Sequence, residues 1–307
     1  MAPPYIVGSS QDGPTYTVNT FLKKPTLIAS IILDWTRGQF IGDSLLRPGP
    51  RADGGAVAWR DPFPLFAERE GEIIAEYGEI PGVEFGSPIM HTRATTKRGM
   101  AVKVSQEMID RQDVNLVLEQ MNMVKNTMRR MYDKQFMALL FDNPAVPTMA
   151  SSASWFGNVN TTIRRDLADA GYEIANSYFG TDPDQKFGYE PDTLIINNST
   201  AFEWLDNDEI NKVFAASPLA SESLRYTGKM PKKFFGFDVV RSWQVPDDTA
   251  VLLQRGRLGF NSDERPMRGT PLYEIKQEET WRADFTRINV AAVDNPKSAM
   301  IITGINS

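Results

Sequence analysis

No cysteine occurs anywhere in the 307 residues, which excludes disulfides, thiolate metal sites and cysteine nucleophiles. It is compatible with a cytoplasmic product. Histidine is almost as scarce. His91 is the only one, so a two-histidine metal site within one subunit is ruled out and any Ser-His-Asp triad must run through that residue. No serine sits in a G-x-S-x-G setting, and His91 reads more simply as a surface or capping residue. The G-x-G-x-x-G and G-x-x-x-x-G-K-[ST] phosphate loops are both missing, which disfavours nucleotide chemistry. Long apolar runs are lacking too. Leu27 to Leu33 falls far below the ~18 residues that span a bilayer, and the opening MAPPYIVGSSQDGP lacks the charged start and apolar stretch of a signal peptide. Neither a signal peptide nor a membrane anchor is expected. Basic residues are outnumbered, 33 against 39 acidic, for a net charge of -6. That balance argues against a dedicated nucleic-acid binder and leaves room only for local contact. No repeat or low-complexity tract is visible.

What is present is an ordered succession of patterns. The first fifty residues scatter six prolines, Pro3 to Pro50, around one apolar stretch, and read as an extended arm. Its Phe21, Leu22, Ile28, Ile31, Ile32 and Trp35 are too apolar for a free tail. From Gly54 to Phe85 a strand-like Ala56-Val-Ala-Trp59 leads through Asp61-Pro-Phe-Pro-Leu-Phe66 into Glu68, Glu70 and Glu72, which predicts a long β-hairpin with a proline-stiffened middle. Phe63, Leu65 and Phe66 lie there among charges, so either a neighbouring surface or their own domain must cover them. Gly99 to Asp110 reads as a strand, then a short helix capped by Ser105 with Glu107 in its first turn, ending near Arg111. Asp113 then caps the clearest helix in the chain. Val117, Met121, Val124, Met128, Met131, Tyr132, Phe136 and Leu140 recur at three- and four-residue steps to about Asp142, a rod of roughly 45 Å at ~1.5 Å per residue. Its opposite face carries Lys125, Arg129, Arg130 and Lys134, which suits a solvated face.

Beyond Pro147 a second domain is expected. It opens on polar Ser151 to Asn160 and a helix marked by Ile163, Leu167, Ala170, Ile174 and Tyr178. A buried strand at Thr193 to Ile196 follows, then a helix capped by Ser199 or Thr200, and another at Glu209 to Phe214. Strand runs come at Phe234 to Val240, Ala250 to Leu253, Leu272 to Ile275, Asn289 to Val293 and Ala299 to Thr303. Acidic groups cluster at Asp182 with Asp184, at Asp206, Asp208 and Glu209, and at Asp263 with Glu264. These suit a divalent ion, but turns and caps use the same residues. Paired carboxylates also serve glycosidases, through a spacing that sequence does not give.

Four stretches together resemble tailed-bacteriophage major capsid proteins of the Hong Kong 97 fold. They are Gly99-MAVKVSQEMIDRQD running into the long helix, Pro191-DTLIINNSTAFEWL, Phe234-FGFDVVRSWQVPDDTAVLLQRGRLGF and Asn289-VAAVDNPKSAMIITGI. The order of the stretches carries the resemblance. It implies an α+β fold with an N-terminal arm at 1–53, an extended loop at 54–85 and a peripheral domain at 86–149 with its spine helix at 113–142. An axial domain of mixed sheet and helices takes 150–263, the chain returns through the peripheral domain at 264–288, and 289–307 supplies the last axial strand.

The function implied is self-assembly, through hexamers and pentamers of copies of the chain, into the icosahedral shell around a phage genome. No catalysis and no cofactor are involved. The expected neighbour-contacting residues are Trp59, Arg60, Phe63, Leu65, Phe66 and Arg69 on the loop, since aromatic and arginine side chains dominate interfaces, with Phe21, Leu22 and Trp35 on the arm. Lys125, Arg129, Arg130 and Lys134 are the candidates for non-specific contact with packaged double-stranded DNA. Gly54 to Phe85 holds no lysine, so the loop cross-link of the founding member is not expected, and stability falls to non-covalent contacts or a cementing protein. The short arm leaves no room for a fused scaffolding domain, so a separate scaffolding protein is expected, with a portal. Localisation is the virion, after assembly in the host cytoplasm, with no membrane partner. An encapsulin-like nanocompartment shell is the alternative in the same fold, and a carboxylate-dependent hydrolase the alternative in another class.

Overall fold

The computed structural model describes residues 26–36, 38–63, 65–66, 73–74, 76–78, 80, 82, 89–111, 114–156, 162–180, 184–204 and 233–306. Leu27–Thr36 forms helix α1, which buries Ile28, Ala29 and Ile32 and ends where the Thr36 hydroxyl donates back to the Ile32 carbonyl at 2.9 Å. A short helix α2, Ile41–Leu45, follows. Its Ile41 N–H, one of the donors a helix start leaves without an internal partner, donates to Asp133 at 3.0 Å. The two-residue strand β1, Arg47–Pro48, then joins the edge of a sheet.

Strand β2, Ala56–Arg60, pairs antiparallel with β3, Met90–Ala94, so the hairpin expected to close by Phe85 returns later. Strand β4, Thr96–Ser105, passes into helix α3, Gln106–Asp110, through a cap in which the Met108 N–H donates to the Ser105 hydroxyl at 3.3 Å. The local backbone and the same hydroxyl hold the Glu107 carboxyl below its ordinary range. Helix α4, Val114–Phe141, runs 28 residues, about 42 Å at 1.5 Å per residue. Its buried stripe of Val117, Met121, Val124, Met128, Tyr132, Phe136 and Leu140 follows the expected spacing. Asp113, the expected cap, lies outside the described residues.

The rest of the chain builds strand β5, Thr148–Ala150; helix α5, Ile163–Ala175; strand β6, Thr193–Ile196; and helix α6, Asn198–Glu203. Asn197 caps α6 by accepting the Ser199 N–H at 3.0 Å, two positions before the expected Ser199 and three before Thr200. The helix expected at Glu209 to Phe214 lies outside the described residues. The expected strand at Phe234 to Val240 is two strands, β7, Lys233–Phe234, and β8, Phe237–Arg241. Phe235 and Gly236 take positive φ between them and reverse the chain. Then come β9, Thr249–Leu253; β10, Gly259–Gly269; β11, Tyr273–Ile275; β12, Thr280–Val293; and β13, Ala299–Thr303.

Two large sheets result. In the first, β12 is the central strand, with β4 along one edge and β10 and β11 sharing the other, and β1 parallel to β10. The second runs β5-β13-β9-β6-β8-β7, and its central β6 is buried at every position. Helix α4 serves both sheets. Its N-terminal half packs Val117, Met121, Val124 and Met128 against Val102, Val104, Ala283 and Phe285 of the first. Its C-terminal turns place Phe136, Met137 and Leu140 against Ile195, Val251, Leu253 and Ile301 of the second, whose other face is covered by Ile163, Leu167, Ala170 and Ile174 of α5. The expected domain boundaries at 149/150, 263/264 and 288/289 fall inside β5, β10 and β12. Backbone ladders make each of these strands a single unit, so β10 and β12 belong whole to the first sheet and β5 to the second.

Candidate inter-subunit surfaces

The β2–β3 hairpin is rooted in its own chain. Val57 is buried with Ala52, Phe260, Val290 and Ala292, and half-buried Trp59 packs on the same cluster. The Trp59 ring meets Phe260 edge-on at 5.6 Å and stacks on His91 at 5.6 Å, while His91 Nε2 lies 2.7 Å from Asp61 Oδ1. Trp59 is thus engaged mainly within the subunit, and the lone histidine is a cross-strand partner at the hairpin root. Beyond this root the large apolar side chains among the described residues are exposed. Phe63, Leu65 and Phe66 are 47%, 61% and 60% exposed, and Ile73, Tyr77, Ile80, Ile89 and Met90 are also exposed. Arg60 is exposed as well. One backbone tie, from the Leu65 N–H to the Lys186 carbonyl at 3.0 Å, lays the start of the loop along the second sheet's domain. Arg69, Phe21 and Leu22 lie outside the described residues. Trp35, the remaining arm residue, packs half-buried on the first core cluster beneath Lys125, whose Nζ stands 5.2 Å from the ring centroid.

The charged face of α4 divides. Lys125 covers Trp35, and Arg129 reaches Asp133 at 3.6 Å. Arg130 and Lys134 are exposed. Arg129 and Arg130 open onto a groove between α4 and the end of β8. Of the acidic clusters, Asp263 and Glu264 are engaged internally, Glu264 accepting from Thr95 Oγ1 at 2.5 Å. Asp182, Asp206, Asp208 and Glu209 lie outside the described residues. Among the described residues no three His, Asp or Glu side chains group as a metal site, and no helix is long and apolar enough to cross a membrane.

A buried ionic junction, not foreseen from sequence, ties the arm to the first sheet. Arg287 of β12, only 6% exposed, meets both oxygens of Asp263 on β10 at 2.7 and 3.0 Å and both oxygens of Asp43 on α2 at 2.8 and 3.1 Å. Its guanidinium lies 5.8 and 5.4 Å from the Phe40 and Tyr132 rings. Burial works against the Arg287 charge, but the hydrogen bonds from Asp263 and Asp43 outweigh it and hold the group above its ordinary range. Two forked carboxylates satisfy the planar donor set that makes arginine suited to buried pairs. Nearby, Arg47 of β1 pairs with Asp294, so α2 and β1 are fastened to the sheet by charge as well as by packing. The Tyr132 hydroxyl is pushed up to about 12 by the same burial.

The family model described as phage capsid protein matches residues 91–299, from strand β3 to the first residue of β13. Comparison with curated proteins finds no match. Among solved structures, the capsid of cyanophage P-SCSP1u is 11% identical, covers 87% of this chain and 89% of its own, and superposes with a TM-score of 0.62. A phage-related protein from Bordetella bronchiseptica RB50 is 13% identical over 90% and 96% of the two chains, with a TM-score of 0.58. A virus-like particle from Pyrococcus furiosus is 14% identical over 90% and 97%, with a TM-score of 0.51. At these identities the solved structures show the shared fold, an α+β arrangement consistent with the Hong Kong 97 resemblance. The family match spans more than half of the sequence, and on that ground the chain belongs to the phage capsid protein family, a family of structural subunits of the virion.

Proposed function

We propose that this chain is the major capsid subunit of a tailed phage, assembling through hexamers and pentamers into the icosahedral shell that encloses the genome, and that it has no catalytic role. The observation that carries this reading is the β2–β3 loop. A root buried in the subunit's own core leads into a loop whose Phe66, Ile73, Tyr77 and Ile80 are 60% or more exposed, and an exposed apolar run on an anchored arm is what an inter-subunit contact requires. Each such contact is modest, but every subunit makes several, so the closed shell gains stability by avidity.

In this reading the arm of residues 1–53 and the loop reach neighbouring copies. The first sheet with α4 forms the peripheral domain, and the second sheet with α5 and α6 the axial domain. The neighbour contacts are Arg60, Phe63, Leu65, Phe66 and Arg69, with smaller shares for Trp59 and Trp35, which their own chain already occupies. Phe21 and Leu22 complete the arm contact, and Lys125, Arg129, Arg130 and Lys134 turn toward packaged double-stranded DNA. A separate scaffolding protein, a portal and a cementing protein are the further partners, with assembly in the host cytoplasm. The match to the Pyrococcus furiosus virus-like particle supports a second reading, an encapsulin-like shell around protein cargo.

Electron microscopy of the chain expressed alone, and again with any small acidic gene product encoded beside it, tests the proposal. Closed shells or ring-shaped capsomers are expected. A monomer that persists in both preparations overturns the assembly reading, and protein cargo in place of nucleic acid inside purified shells moves the assignment to the second.

A further inference from the structure

Between α4 and the end of β8 lies an open groove of about 760 Å³. Three arginines line it, Arg129 and Arg130 from the helix and Arg241 from the last position of β8. Two aromatic side chains stand on its walls well clear of any core, Trp243 at 77% and Phe202 at 67% exposed. The one carboxylate in the lining, Asp133, is buried, accepts the Ile41 N–H at 3.0 Å and faces Arg129 at 3.6 Å. Arg130 and Arg241 form no ion pair among the described residues. Three guanidinium groups facing one carboxylate, in a chain of net charge -6, are not a consequence of composition.

We propose that this groove holds a nucleic-acid strand, its phosphates on Arg129, Arg130 and Arg241 and a base or sugar against Trp243. The inference rests on the capsid reading and deepens it, since it names one place where the shell subunit meets nucleic acid, as an unpaired stretch whose bases are free to stack and not as the packed duplex. Arginine forks match phosphate oxygens, and an exposed aromatic ring beside them is the platform on which bases stack. The amide side chains of Asn198 and Gln244 in the same lining supply further donors. An acidic peptide is the competing occupant. Its carboxylates would pair with the same arginines, but a run of carboxylates makes no use of the two exposed rings, Trp243 and Phe202, on which nucleobases stack. The aromatic rings and arginines therefore favour the nucleotide chain.

The test is fluorescence anisotropy of the unassembled full-length chain with a labelled single-stranded oligonucleotide of about twenty nucleotides, enough to exceed a single groove-sized site, across a salt series. The triple variant Arg129→Gln, Arg130→Gln, Arg241→Gln keeps a donor for Asp133. It is expected to lose affinity at least about tenfold and to flatten the slope of log K against log salt by about 2, as three lost phosphate contacts require. Trp243→Ala alone is expected to weaken binding about fivefold or more through lost stacking, with the salt slope unchanged. Equal affinity of the wild type and the triple variant overturns the proposal, as does displacement of the oligonucleotide by polyglutamate at matched charge, which would mark an acidic-peptide groove. Micrographs of the same variants separate the two readings. Shells from the triple variant with unchanged oligonucleotide binding sink this inference alone, whereas absence of shells from the wild type sinks the capsid assignment.

Discussion

Helix α4 and the β2–β3 loop contain similar side chains and use them in opposite ways. The helix places its apolar residues at three- and four-residue steps, so they form one stripe, and that stripe is consumed by the two sheets of its own subunit. In the loop the apolar residues are interrupted by Pro62 and by glutamates, and past the hairpin root Phe66, Ile73 and Tyr77 keep 60% or more of their surface exposed. Burial of a large apolar side chain contributes about 1.5–3 kcal/mol. In the helix that contribution stabilises the fold, and in the loop it is withheld until another surface arrives. On the proposed reading, one chain thus separates the residues that make it a subunit from those that make it part of a shell.

The sharpest way to break the contrast is to charge the loop. Phe63→Asp with Phe66→Asp is expected to abolish shells in micrographs while leaving the melting temperature of the unassembled chain within a degree or two, because neither ring is part of a buried cluster. Normal shells from the double variant would show that the loop is not the assembling element.

Phe136→Ala is the mirror experiment. The ring is 2% exposed at the point where the helix passes between sheets, and truncation of a buried Phe costs about 3–5 kcal/mol. Denaturant unfolding should show that loss directly, with assembly reduced only as far as the folded fraction falls. A small change in unfolding with a large loss of shells would mean that the helix, too, is an interface element.

The helix was legible in the sequence because its period is local: Val117 to Leu140 can be counted along the chain, and each of those positions but Met131 is fully buried. Strands β6 and β13 were legible for a similar reason, as short apolar runs between breakers. The first sheet was harder. Strand β10, with Asp263, Glu264 and Pro266, was not among the expected strands, yet its ladder shifts register between Asp263 and Arg268 and accommodates the proline there. In β12 the alternation from Ala283 to Asn289 continues through two polar residues on the buried face. Arg287 belongs there only because Asp43 and Asp263 meet it, the former 244 positions away in sequence, and no local pattern encodes such a partner. The loop's composition was legible, but the return at Met90–Ala94 was not, since Met-His-Thr-Arg-Ala has no apolar alternation and is a strand only because β2 lies beside it.

Polar burial on the helix gives the finest test of the same contrast. Asp133 is buried, and that burial raises its carboxyl above the ordinary value of 3.8, against the Ile41 N–H and Arg129, which favour the charge. Below 3.8 the folded and unfolded chains both hold the proton; above the raised value both have lost it. In between, only the unfolded chain ionises, so stability falls as pH rises through that window, and the deficit persists to neutral pH. Asp133→Asn keeps an oxygen for the Ile41 N–H and removes the buried charge. The Arg129 pairing it gives up is half-exposed and of the kind that contributes little. The variant is therefore expected to melt slightly higher than the wild type at pH 7, with the two curves converging at acid pH. A lower melting temperature at pH 7 would mean that the pair with Arg129 outweighs the burial of the carboxylate, and that this face of α4 is held by charge as firmly as the opposite face is held by packing.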